Sequence, residues 1–318
     1  MKKVILLCFL GALFPLSVFC QNQGFNALTK QSIYYFEQNK LEEFEEAYSQ
    51  LYIEYLKENI AEYCEAVSAT YAGDIDNAFS NINNLIDEGL FLDELGEDQN
   101  FEILHNEVQW RTAVDKIREI KSSYNEDIRL KLKEIQNRDQ GIRLLYLNIE
   151  NDSLKTAIHE YMKTVVDKDC SEEVCSILDK YGWLGVDEIS SEANETLFLG
   201  IQHVDDLKVQ EKYLPMLKEA VNSGKAEGWH FAFLTDRILM NQGKKQIYGT
   251  QKIISKDPAK SFIVPLEYPD KVDILRNELG LSSLTEELAD EGIHWNLGEY
   301  NANLSKTEEL YREYCEKR

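Results

Sequence analysis

The chain has 318 residues, of which 57 are acidic and 34 are basic, and its formal net charge is −23. This length is enough for about two domains, and a hydrophobic content of 43% is typical of a folded protein. Five prolines and 16 glycines are few for a fold with many turns, so a mainly α-helical fold is predicted. The acidic charge argues against capture of nucleic acid or of an anionic membrane, because either would need a basic patch.

The first 20 residues have the pattern of a secretory signal peptide. Lys2 and Lys3 precede an apolar stretch, and polar residues follow from Gln21. Cleavage after Cys20 would give an exported protein, periplasmic or secreted, with no remaining apolar stretch of the roughly 18 residues that span a membrane. The alternative is a lipoprotein anchored through Cys20, although Phe19 stands where such a signal has a small residue.

Four cysteines lie beyond the predicted signal peptide: Cys64, Cys170, Cys175 and Cys315. An even number of cysteines in an exported protein permits disulfides. The alternative is that all four are reduced and buried. No CxxC pair occurs, so the pattern favours neither a thioredoxin-type redox pair nor a cysteine-rich zinc site.

Residues 21–125 are predicted to form a tetratricopeptide-like helical region. Apolar residues recur at spacings of three and four between Tyr34 and Leu56, which indicates helices. A break at residues 72–74 separates two further helices, and Gly73 followed by Ala78 resembles the turn of a tetratricopeptide repeat. Such a region would bind a protein partner. The alternative is a plain helical bundle.

Residues 126–300 are predicted to form a mostly helical domain that contains one β-hairpin, followed by a charged C-terminal helix or tail at 301–318. Apolar periodicity predicts helices over 126–137, 142–149, 154–166, 172–181 with Asp169 as the N-cap, 190–203, 206–222, 229–241 and 269–279. The period changes to two after Gln246, which predicts one strand over 246–254 and, beyond a turn at 256–259, a return strand over 261–264.

Standard catalytic, phosphate-binding and metal-binding motifs are absent from the sequence, and the sequence identifies no cofactor. Polar residues instead interrupt apolar stretches at Gln202-His203 and at Asp236-Arg237. Burying a charged side chain without a partner is costly, and neighbours on a helix project about 100° apart. Asp236 and Arg237 are therefore expected to have separate partners.

These residues support three hypotheses. In the first, a pocket binds a small polar ligand or peptide through Gln202, His203, Asp236, Arg237, Gln246, Tyr248, Thr250 and Gln251, and Arg237 meets a carboxylate or phosphate. In the second, a hydrolase uses His203 as general base, oriented by Asp205 or Asp236, while Arg237 and Tyr248 stabilise negative charge in the transition state. A metal variant of this hypothesis uses His203, Asp205 and Asp236. In the third, Asp236 and Arg237 tie the hairpin to the helices, and the polar residues of 246–251 only satisfy backbone groups.

Two strings, Leu234-Thr235-Asp236-Arg237 and the residues QIYGTQ at 246–251, resemble the hallmark of the bacterial domain-of-unknown-function family 6624. Asp139-Gln140 with Arg143 and then Gln202-His203 agree with that family in the same order, and the likeness covers about residues 126–290. Because the family has no assigned activity, the resemblance implies a domain and not a reaction.

Overall fold

A computed structural model describes residues 23–254, 261–290 and 292–316. The predicted signal peptide at 1–20 and the hairpin turn at 256–259 lie outside the described residues. The described part is mainly α-helical, as predicted, with one two-stranded hairpin. Within it, no helix is both long enough and apolar enough to span a membrane.

The helices are α1 (Gln23–Glu37), α2 (Leu41–Asn59), α3 (Ala61–Ala72), α4 (Ile75–Asp87), α5 (Val108–Ser122), α6 (Glu126–Leu147), α7 (Asp152–Tyr161), α8 (Asp167–Tyr181), α9 (Val186–Ile189), α10 (Ser191–Gln202), α11 (Leu207–Asn222), α12 (Gly228–Asn241), α13 (Val272–Glu278), α14 (Leu284–Asp290) and α15 (Leu297–Glu316). A 3-10 helix spans Gln99–Leu104, and a π-helical turn spans Met162–Val166. The strands are β1 (Lys252–Ile253) and β2 (Phe262–Ile263), which pair antiparallel.

The chain forms two compact units. The described residues of the first unit are 23–166 and 184–196, and those of the second are 167–183, 197–254, 261–290 and 292–316. Helix α6 begins at Glu126 and packs against α2 within the first unit. The predicted domain boundary between residues 125 and 126 stays a prediction.

Helix α2 is central to the first unit, where it packs against α1 and α6. A Cβ atom added to Gly141 on α6 would lie 2.1 Å from the Tyr48 carbonyl oxygen of α2, so the two backbones touch. The predicted break at residues 72–74 is confirmed. Gly73 ends α3 in the left-handed region, and the Asp74 side chain accepts a hydrogen bond from the Asn77 N–H to cap α4.

Two predicted helix breaks are absent. The structure has one continuous helix, α6, where two were predicted at 126–137 and 142–149. The polar residues between them are buried inside the helix because Gln140 donates to the Asp139 carboxylate at 2.6 Å and Arg143 pairs with the same group at 3.1 Å. Asp169, the predicted N-cap, lies within α8, which continues directly from the π-helical turn.

The second unit has its core where the helices meet the hairpin. Met240, Val264 and Tyr311 form one buried cluster, and Ile253 and Phe262 of the hairpin pack against it. The Tyr311 hydroxyl donates to the Met240 carbonyl at 3.1 Å, which joins α15 to the end of α12. The predicted C-terminal helix therefore contributes to the core through Tyr311.

Among the described residues, no disulfide bond joins any of Cys64, Cys170, Cys175 and Cys315. Cys170 is buried, whereas Cys64 is exposed.

Candidate functional site

A buried carboxylate holds the segment that follows α12. Asp236 lies in α12 and is fully buried. Its Oδ1 atom accepts hydrogen bonds from the backbone N–H groups of Ile247 at 2.7 Å and Tyr248 at 3.1 Å. Its Oδ2 atom accepts from the backbone N–H and the hydroxyl of Thr250, both at 3.0 Å, and from the Tyr248 N–H at 3.1 Å. One carboxylate thus satisfies the donors of three residues.

The prediction of a strand beginning at Gln246 is wrong, whereas the hairpin itself is confirmed. Strand β1 is confined to Lys252–Ile253, and the only bridge that the described residues of 246–251 form is between Gln246 and Leu266. A strand would need its backbone N–H groups for a neighbouring strand. Asp236 accepts those of 247, 248 and 250 instead, so residues 246–251 form a loop, which we call the clasped loop.

Three predicted ligand-binding side chains hold the clasped loop together from inside. Gln246 Nε2 donates to the backbone carbonyls of Gln251 at 3.0 Å and Val264 at 2.7 Å. Gln246 Oε1 accepts the Gln251 N–H at 2.7 Å, and Gln251 Nε2 donates to the Thr250 hydroxyl oxygen at 3.0 Å. The structure brings these residues together, but their polar atoms bind one another, which favours the structural interpretation for all three.

Arg276 of α13 anchors the clasped loop from a second side and was not among the predicted site residues. It is fully buried, its Nη1 donates to the Tyr248 carbonyl at 2.8 Å, and its Nε donates to the Ser282 carbonyl at 2.7 Å. Its guanidinium also pairs with Glu287 of α14. The loop is therefore bound on one side by a carboxylate and on the other by a guanidinium.

Tyr248 projects from this fixed loop and remains able to bind a ligand. Its side chain is partly buried, and its ring lies edge-on to Phe231 with centroids 6.5 Å apart. Burial, and then the negative charges of Asp236 and Glu278, raises the pKa of the Tyr248 phenol above its ordinary value. The phenol therefore stays protonated at neutral pH and can donate a hydrogen bond.

Both carboxylate oxygens of Asp236 are occupied by hydrogen bonds from the clasped loop. Burial raises the pKa of its carboxyl group to about 6, and the hydrogen bonds from the clasped loop oppose that rise. The hydrolase hypothesis needs Asp236 or Asp205 to orient His203, yet both oxygens of Asp236 already accept hydrogen bonds and Asp205 is exposed. A catalytic role for His203 and Asp236 stays a prediction. Within the described residues, no group of three or more His, Cys, Asp or Glu side chains is arranged to hold a metal ion.

Gln202 and His203 lie at the C-terminal end of α10, and both are buried. Gln210 of α11 holds this end in place, because its Nε2 donates to the backbone carbonyls of Gln202 at 3.3 Å and Val204 at 3.0 Å. Its Oε1 accepts a hydrogen bond from Asn241 Nδ2 of α12 at 3.0 Å. The backbone around Gln202 is thus fixed to two neighbouring helices.

The side chain of Gln202 has unused hydrogen-bonding capacity. It is 2% exposed, and neither its amide nitrogen nor its amide oxygen has a hydrogen-bond partner among the described residues. Phe198, one turn earlier on α10, packs against Trp229 and His230, so Gln202 lies on the face of α10 that meets α12. The Thr235 hydroxyl of α12 is likewise buried without a partner in the described part of the chain.

His230 is a second buried polar group that the sequence did not single out. Its imidazole stacks on Phe198 with centroids 4.7 Å apart, and neither ring nitrogen has a hydrogen-bond partner among the described residues. Burial lowers the pKa of His230 to about 3. The side chain is therefore neutral in the folded protein at every pH at which the protein is expected to work.

Stability should fall in acid because of His230. Between pH 6.5 and 3 the unfolded chain binds a proton at this residue that the folded chain does not. The free energy of unfolding is therefore about 2 kcal/mol lower at pH 5 than it would be without this residue. We expect His230→Leu to remove this dependence. Denaturant unfolding at pH 8 and pH 5 measures this: from pH 8 to pH 5, the free energy of unfolding should fall by about 2 kcal/mol more in the wild type than in the variant. Parallel pH profiles of the two proteins would contradict this. A group whose pKa is raised by folding, such as Asp236, changes stability with pH in the opposite direction. Its contribution is the same in both proteins and cancels when they are compared.

Comparison with known proteins agrees with the resemblance found in the sequence. The model of a family described as "Family of unknown function (DUF6624)" matches residues 126–291, just over half of the chain. The match includes the Asp236 contacts, the clasped loop, Arg276 and the Gln202 end of α10. No curated protein and no solved structure matches the chain. The chain therefore belongs to the family of unknown function DUF6624.

Proposed function

We propose that the second unit binds a small polar ligand or peptide at the C-terminal end of α10, with Gln202 and His203 as contact residues. The observation that carries this proposal is the Gln202 amide, which is buried with both polar atoms unpaired among the described residues. Leaving such a group without a partner costs about 1–3 kcal/mol, so a protein retains it where a ligand supplies the missing hydrogen bonds.

The chemistry of an amide defines the ligand. Gln202 offers a donor and an acceptor side by side, which matches a carboxamide, a peptide bond or a protonated carboxyl group. Arg237 follows Asp236 on α12 and is partly buried, and we assign it to a carboxylate on the same ligand. We assign Tyr248 as a further donor and leave Gln246, Thr250 and Gln251 to hold the clasped loop. We also propose that the protein acts after export, as the pattern of residues 1–20 predicts.

The test is a thermal-shift screen of amino acids, amino-acid amides and dipeptides on the wild type and on Gln202→Met. Methionine has nearly the volume of glutamine but no amide, so the fold should be retained. We expect ligands that carry an amide or peptide bond to raise the melting temperature of the wild type and to have no effect on the variant. Equal shifts in both proteins, or no shift with any member of the panel, would contradict the proposal.

A further inference from the structure

Two large apolar side chains of the first unit lie next to each other on its surface. Tyr71, near the end of α3, is 71% exposed, and Ile103 in the 3-10 helix is 60% exposed. The Tyr71 hydroxyl donates a hydrogen bond to the Asn100 side-chain oxygen at 3.1 Å. Residues three apart in a 3-10 helix lie on the same side of it, so Ile103 is beside Asn100. We call this surface the Tyr71–Ile103 patch.

A third exposed apolar residue follows within one turn of the chain. Val108, the first residue of α5, is 75% exposed. The turn between Ile103 and Val108 is closed by a hydrogen bond from the Glu107 N–H to the Leu104 carbonyl at 3.0 Å. Single exposed apolar side chains are ordinary, whereas neighbouring ones are typical of interaction surfaces. The position of these residues therefore indicates a partner.

The Tyr71–Ile103 patch is fixed to the fold beneath it. Asn100 Nδ2 donates to the Tyr63 hydroxyl oxygen at 3.1 Å, and that hydroxyl donates to Asp98 at 2.7 Å. Lys57 Nζ lies 2.8 Å from the same carboxylate, and Phe101 of the 3-10 helix is fully buried. Because these contacts already order the surface, a partner loses little binding free energy in ordering it.

The charge of the segments that carry the patch defines the partner. Residues 65–76 and 97–111 contain one arginine, Arg111, and no lysine. Their acidic side chains that pair with no described cation are Glu65, Asp74, Asp76, Glu97, Glu102 and Glu107. A second copy of the chain would bring the same negative charge against this surface, and an anionic membrane or a nucleic acid would be repelled. A partner that is both apolar and basic is complementary to it.

We propose that the Tyr71–Ile103 patch binds a basic, amphipathic segment of a protein partner. The apolar side chains of that segment lie against Tyr71 and Ile103, and its lysine or arginine side chains face Glu102 and the other unpaired carboxylates. This proposal does not depend on the proposed function, because its residues belong to the first unit and those of the Gln202 site to the second. They also lie outside residues 126–291, which match the family.

The experiment titrates the full chain into a labelled synthetic peptide and follows fluorescence anisotropy. The peptide has about 14 residues, with leucines at helical spacing and lysines at the other positions. One control peptide has glutamate in place of lysine, and a second has serine in place of leucine. We expect the leucine–lysine peptide to bind at least about tenfold more tightly than either control, with an affinity that falls as salt is added.

Matched variants separate the patch from general attraction by negative charge. Ile103→Ser and Tyr71→Ser should each weaken binding of the leucine–lysine peptide by about tenfold. Ile274→Ser removes a similarly exposed isoleucine, 63% exposed, from the second unit and should stay within about twofold of the wild type. All three side chains are largely exposed, so the variants should fold, which thermal melting checks.

Three results would overturn the proposal. The first is that the leucine–lysine peptide does not bind, or binds no better than the glutamate control. The second is an equal loss of affinity in Ile103→Ser and Ile274→Ser. The third is a dimer of the wild type in analytical ultracentrifugation that Ile103→Ser dissociates, because a second copy would then cover the patch.

Discussion

Replacement of Asp236 by alanine is expected to lower the free energy of unfolding by about 3–5 kcal/mol. The change leaves the N–H groups of Ile247, Tyr248 and Thr250 without the acceptor that they share inside the protein. Residues 247–250 would then be held from outside the loop by Arg276, through the Tyr248 carbonyl. Denaturant unfolding at pH 7, monitored by circular dichroism, measures this loss.

Two further variants show whether the loss comes from the hydrogen bonds. Asp236→Asn keeps one acceptor oxygen but turns an amide donor toward the loop, so its loss should lie between zero and that of the alanine variant. Thr250→Val removes the hydroxyl that donates to the carboxylate and accepts from Gln251 Nε2, and it should cost about 1–2 kcal/mol, less than Asp236→Ala. If Asp236→Ala unfolds like the wild type, the carboxylate does not hold the loop.

Replacement of Gly141 by alanine is expected to cost about 3 kcal/mol, although alanine is the better helix former by about 1 kcal/mol. The new Cβ would lie 2.1 Å from the Tyr48 carbonyl oxygen and 2.9 Å from its carbonyl carbon. A backbone atom cannot rotate away as a side chain can, so α2 and α6 would have to separate. Thermal and denaturant unfolding of the full chain measure the effect.

Gly96→Ala is the matched control. Its new Cβ would have no atom within 4 Å, and its backbone does not adopt a positive φ. We expect its stability to stay within about 0.5 kcal/mol of the wild type. Similar losses in the two glycine variants would mean that the close approach of α2 and α6 does not limit the size of residue 141.

The sequence predicted those parts of the fold that depend on local signals. Helices α11 and α12 were predicted at 206–222 and 229–241, and they span Leu207–Asn222 and Gly228–Asn241. Their ends depend on caps and glycines that are close in sequence, such as Asp206, which caps α11. The continuity of α6 was missed because Asp139 and Gln140 look like a polar linker, although their side chains are buried and hydrogen-bond to each other.

The site was predictable in its residues but not in their contacts. The segments 234–237 and 246–251 do lie together. The alternation at 246–251 looked like a strand because the group that accepts its backbone N–H groups, the Asp236 carboxylate, is at least ten residues away in the sequence. The unused amide of Gln202 cannot be read from sequence, since an unpaired group is defined by what surrounds it in space.

The most direct test of the proposed function compares the unfolding free energies of Gln202→Met and Gln210→Met in the absence of ligand. Gln210 is buried like Gln202, but its amide binds the carbonyls of Gln202 and Val204 and the side chain of Asn241. If the Gln202 amide is kept for a ligand, Gln202→Met should be as stable as the wild type or more so, whereas Gln210→Met should lose about 2–3 kcal/mol. A loss in Gln202→Met as large as that in Gln210→Met would show that the Gln202 amide serves the fold, and would contradict the account.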